Sequence, residues 1–175
     1  MWFPSRHRWS SLSAMGSWLL RGIPLTAVHV VARVLLAIAV VETPLSSSTW
    51  KVLAVAAVVL VALLWGGIDG IRDARANPDP DDYADLTVRW LKAGLFAGVV
   101  AAIICWIIGH WFMSGIGEAS LPIEIIAGGS FTALLVYAPA FVGFSFGRWV
   151  VRRDQRKNEA EEDWSVHEDR TPQNA

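Results

Sequence analysis

The chain has 175 residues, 54% of them hydrophobic and 18% charged, with a mean hydropathy of +0.41 and a formal net charge of -1. That balance is too apolar for an ordinary soluble domain and too neutral for a protein drawn electrostatically to nucleic acid. A single cysteine excludes an internal disulfide and leaves Cys105 as a small apolar packing residue.

Residues 1–17 are polar and aromatic, with no helical apolar stripe, and read as a flexible cytoplasmic segment. Met15 is an alternative start, after which Trp18 sits at headgroup level and Arg21 snorkels toward water. The first apolar stretch runs over 22–41. Ala37-Ile38-Ala39 has the look of a cleavage site, but His29 and Arg33 interrupt what a signal peptide needs as an unbroken apolar run. Glu42, Pro44 and a serine-rich turn lead past Trp50 into a second stretch over 52–68, which continues as helix into a charged loop. In that loop Asp79 followed by Pro80 makes an N-cap and N1 pair, which starts the third helix well before its apolar part at 93–112. The acidic loop lacks the alternating ligands, glycine and closing Glu of a calcium loop, so no metal is expected there. The fourth stretch covers 125–146, with Pro139 kinking it near Leu135. Residues 154–175 are charged, have little to bury, and read as a disordered cytoplasmic tail.

Each stretch approaches the roughly 20 residues that a helix needs to cross a hydrocarbon core of about 30 Å. In lipid the backbone must satisfy its own hydrogen bonds, so the segments are helical, and their lack of alternation excludes barrel strands. The fold class is therefore all-α, a transmembrane domain over 18–153 with four spans. Thirteen Lys and Arg flank the helices on the amino-terminal side and Lys51 alone lies on the other, so both termini are expected in the cytoplasm, with the chain in the inner membrane. Trp65, Trp90 and Trp149 mark one interface and Trp50 and Trp111 the other. The pattern R-D-x-R-x-N occurs at 72–77 and again at 153–158, and Trp-Leu opens helices one and three, which makes the hairpins a candidate weak parallel repeat.

His29 and Arg33 lie one turn apart and share a small, polar face of the first helix with Gly22, Thr26 and Ala37. Arg33 sits about 16 Å from the inner edge at 1.5 Å per residue, too deep to snorkel in comfort. No carboxylate is placed at its depth, since Glu42 and Glu124 read as lying near the outer surface and Asp69 near the inner one. Three readings follow: Arg33 tilts toward Glu42 or water, it holds an anionic ligand, or it pairs with a carboxylate of another chain. His29, Arg33 and Thr26 are thus the candidate ligand or partner contacts. Gly94 with Gly98, and Gly143 with Gly147, are helix-packing ridges. Arg152, Arg153, Arg156 and Lys157 fall where anionic headgroups would bind them. No nucleophile with a base, metal-ligand spacing or phosphate loop is present, so neither an enzyme nor a cofactor is expected.

Leu64-Trp65-Gly66-Gly67-Ile68-Asp69-Gly70, the acidic loop Arg72 to Asp81, Trp90-Leu91-Lys92-Ala93, Phe131 to Val136 and Gly147-Arg148-Trp149 together resemble the bacterial four-helix, drug/metabolite-transporter-like family of small membrane proteins. The resemblance spans residues 15–153 and implies a small inner-membrane transporter. Small multidrug exporters with four helices carry a Glu in the first helix for proton or cationic drug. Here His29 and Arg33 stand in that helix, which fits an anionic or zwitterionic metabolite. The competing expectation is a non-transporting membrane subunit, and four short helices favour a homo-oligomer or a membrane-protein partner in either case.

Overall fold

The computed structural model describes residues 9–169, with side chains from Gly16 to Glu161 and at Trp164. Arg6, Arg8, Arg170 and the side chain of Met15 lie outside the described residues. Among the described residues there are four long helices: α1 (Trp9–Glu42), α2 (Ser47–Ala76), α3 (Leu86–Trp111) and α4. The last starts as Leu121–Ile123, passes through a π-helical Glu124–Gly129 and continues as Ser130–Asp169. Each contains a segment long and apolar enough to cross a membrane, and no strand occurs among the described residues. The chain is a multi-pass membrane protein, folded as an all-α bundle.

The packing is inverted relative to a soluble bundle. Large side chains such as Leu35, Leu60, Leu64, Leu134 and Phe146 point outward, while alanines line much of the interior. With lipid as apolar as leucine, nothing drives large residues inward, and small ones win the interior by letting backbones approach. The tightest seam joins α2 to α4. A Cβ on Gly66 or Gly70 would strike the backbone of Ala140 or Phe144, and one on Gly143 or Gly147 would strike the carbonyl of Leu63 or Gly67. Gly66 and Gly70 of α2 are therefore the complement of the Gly143 and Gly147 ridge. On the α3 side a Cβ on Gly98 would meet the Gly129 carbonyl, and one on Gly94 would lie 3.0 Å from that of Ala133.

Around the bundle the helices follow the order α1, α2, α4, α3, with α1 beside α3 and α2 beside α4. An axis along the bundle that exchanged the two hairpins would set α1 opposite α3. The R-D-x-R-x-N echo therefore has no matching two-fold through the bundle centre.

Several boundaries differ from the sequence expectation. Helix α1 already begins at Trp9, within the segment expected to be flexible. Helix α4 continues to Asp169, through the tail expected to be disordered. A helix that needs no new nucleus adds residues at little cost, and Arg, Lys, Glu and Ala are good formers with Lys157 and Glu161 spaced to interact. Asp79 caps only the short 3-10 turn Pro80–Asp82, accepting from the Asp81 N–H at 3.0 Å. The cap of α3 is Asp85, whose carboxylate accepts from the Val88 N–H at 3.0 Å. Tyr83 is extended between them, so the chain cannot be helical from Pro80 onward.

Candidate functional site

The polar face of α1 meets α4 at two points. His29, 5% exposed, has its Nε2 3.0 Å from the Thr132 hydroxyl. That hydroxyl spends its only proton on the Gly128 carbonyl at 2.8 Å. Its oxygen must then accept from His29, which assigns the proton to Nε2 and leaves a lone pair on Nδ1. Nδ1 is buried without a hydrogen-bond partner among the described residues.

One turn along, Arg33 Nη1 donates to Glu124 Oε1 at 2.5 Å. This corrects the expectation that Arg33 finds no carboxylate within the chain and leans on Glu42, a ligand or another protein. Glu124 was placed near the surface because it opens the fourth helix. Its side chain is only 10% exposed, against 30% for Arg33, and long side chains on both partners close the difference in depth. The π-helical segment carries Glu124, and Gly128 faces it: a Cβ there would lie 3.0 Å from Glu124 Oε1. The wider turn and the missing side chain together make room for the carboxylate. A position in the first turns of α4, at the positive end of the helix dipole, also favours the charge.

Beside this pair lies a half-open cleft of about 390 Å³ between α1, α2 and α4. His29, Arg33, Glu124 and Thr132 form its polar wall, and Val55 and Phe131 belong to its apolar one. Both signs of charge, a hydroxyl and an imidazole thus share one apolar compartment. Thr26 does not join them. Its hydroxyl bonds to the Gly22 carbonyl at 2.8 Å, and its side chain lines a separate apolar hollow with Phe96 and Val100.

Two further ion pairs, neither foreseen, tie the opposite end of the bundle. Arg21, expected to snorkel, donates to Asp69 at 2.5 Å, and Trp90 Nε1 donates to the same oxygen at 3.2 Å. Trp90 is fully buried, so it braces this pair and is not part of an interfacial belt. Arg148 grips Asp73 Oδ2 through Nε at 2.9 Å and Nη2 at 2.5 Å, and Nη2 also reaches the Ala84 carbonyl at 2.6 Å. Asp73 Oδ1 accepts from the Ala84 N–H at 3.1 Å, so the α2–α3 loop is clasped to α2 by Asp73 and to α4 by Arg148. The signal available in the sequence was that basic and acidic residues sat at similar depth at this end. What no local pattern gave was their pairing across 48 and 75 residues.

Comparison with models of protein families and with curated proteins finds no match for the chain. What the fold and the cleft define together is a multi-pass membrane protein with a compensated ion pair lining a pocket among its helices.

Proposed function

We propose that the chain is a small transporter-like protein of the inner membrane, with both termini cytoplasmic, that binds and moves a small zwitterionic metabolite through the cleft at Arg33 and Glu124. The observation that supports this most is the Arg33–Glu124 pair on the wall of an apolar cleft. An anion bound to Arg33 would strand the Glu124 carboxylate, and leaving one partner of a buried pair uncompensated costs about 3–5 kcal/mol. A zwitterion avoids that cost. Its carboxylate takes the guanidinium fork while its ammonium takes Glu124, so every charge stays paired as the internal bridge opens. Val55 and Phe131 would receive an apolar substituent. This narrows the anion-or-zwitterion expectation toward the zwitterion.

Orientation is supported by the cluster of basic residues at the Asp69 and Asp73 end. A cleft open on one side also suits assembly, with a second copy of the chain covering it. The alternative is a non-transporting subunit whose charged tail docks a partner protein; the Arg33–Glu124 pair removes one of its supports, the need for a partner's carboxylate at Arg33. In proteoliposomes loaded with an amino-acid-like zwitterion, saturable counterflow is expected, lost in Glu124→Gln and in Arg33→Gln. Absence of saturable uptake across a panel of zwitterions and monoanions would overturn the proposal.

A further inference from the structure

We propose that the face of α4 just beyond Trp149 seats the phosphate of an anionic lipid, with Arg153, Arg156 and Lys157 as its ligands. The structure separates these residues from the other basic groups nearby. Arg148 is committed to Asp73, and Arg152 turns inward, donating to the Tyr83 hydroxyl at 3.0 Å with its guanidinium 4.7 Å over the same ring. Arg153, Arg156 and Lys157 are exposed and make no ion pair among the described residues.

With 3.6 residues per turn these three share one side of the helix with Trp149, while Asp154 and Glu161 lie at the edge of that side, one turn from Lys157. With Trp149 and the flanks of Arg148 and Arg152 the three basic side chains line an open cleft of about 710 Å³. Directly below it the same helix presents Phe146 and Trp149, 62% and 52% exposed and stacked at 5.6 Å, to lipid. Arg153 lies over the Trp149 ring at 5.5 Å, which holds its guanidinium at that level. An apolar shelf with a cationic rim one turn above it matches an acyl chain ending in a phosphodiester. Free phosphate would use the rim and leave the shelf unused, so the lipid is the occupant the arrangement favours.

The test is native mass spectrometry of the full chain in detergent, titrated with phosphatidylglycerol or phosphatidylcholine. The proposal expects phosphatidylglycerol to be retained preferentially. Substituting Arg153→Gln, Arg156→Gln and Lys157→Gln together should weaken it about a hundredfold, taking about 1 kcal/mol per basic residue and 1.4 kcal/mol per tenfold. The paired substitution Arg72→Gln with Arg75→Gln, at the same end of the bundle, should change it little. All three altered positions are exposed, and an unchanged thermal melt confirms that the fold is intact. Equal retention of phosphatidylcholine, an unchanged affinity in the triple variant, or an equal loss in the control pair would overturn the proposal. So would displacement of the lipid by inorganic phosphate or an acidic peptide at equal concentration.

Discussion

Replacing Arg33 or Glu124 singly should destabilise the bundle, and replacing both should not. Glu124→Leu leaves a guanidinium inside the bundle, and Arg33→Leu leaves a carboxylate. Removing one partner of a buried pair costs about 3–5 kcal/mol, whereas exchanging both for apolar residues is commonly neutral or stabilising. The two singles should also differ. Arg33 is 30% exposed and has the longer stem with which to reach water, while Glu124 is only 10% exposed and its side chain is shorter. We therefore expect about 3 kcal/mol for Glu124→Leu and more for Arg33→Leu, with the double variant within about 1 kcal/mol of the parent. For a chain of this size 1 kcal/mol moves the melting temperature by about 2–4 °C, so Glu124→Leu should melt about 6–12 °C lower. Thermal melts followed by size-exclusion chromatography in detergent read all four proteins. An Arg33→Leu variant as stable as the parent, or a double variant no more stable than the worse single, would refute a buried, mutually compensating pair.

Three further expectations follow from the same structure. Asp73→Asn should cost about 3 kcal/mol by stranding Arg148, and it should free the 77–85 loop, making that segment faster to cleave in limited proteolysis while the rest of the bundle stays resistant. Gly143→Ala should lower the melting temperature by an amount corresponding to about 1–3 kcal/mol, because its methyl group meets the Leu63 carbonyl, whereas Gly16→Ala, with open space around it, should not. Reporters fused after Asn158 or inserted at Asp82 should read cytoplasmic and those at Ser47 or Glu118 exterior; an exterior signal at Asp82 would refute the orientation.

The sequence alone determined whatever depends on a residue's own surroundings in lipid. Four apolar stretches had to be helices because the backbone has no other hydrogen-bond partner there. The spacing of Gly143 with Gly147, and of Gly94 with Gly98, marked packing ridges because helical periodicity puts such pairs on one face. The same rule grouped His29 with Arg33. Tertiary structure decided what those faces meet. Gly66 and Gly70 acquire a role only with α4 laid against them. Thr26 shared a stripe with Arg33, yet it faces a different hollow and bonds to its own helix. Glu124 was visible as a residue but not as the partner of Arg33, 91 residues away, because a π-helical segment and the reach of two side chains close a gap that helical rise alone leaves open. Periodicity is a local property of the chain, whereas the compensation of a charge in a low-dielectric interior depends on whichever helix the bundle brings beside it.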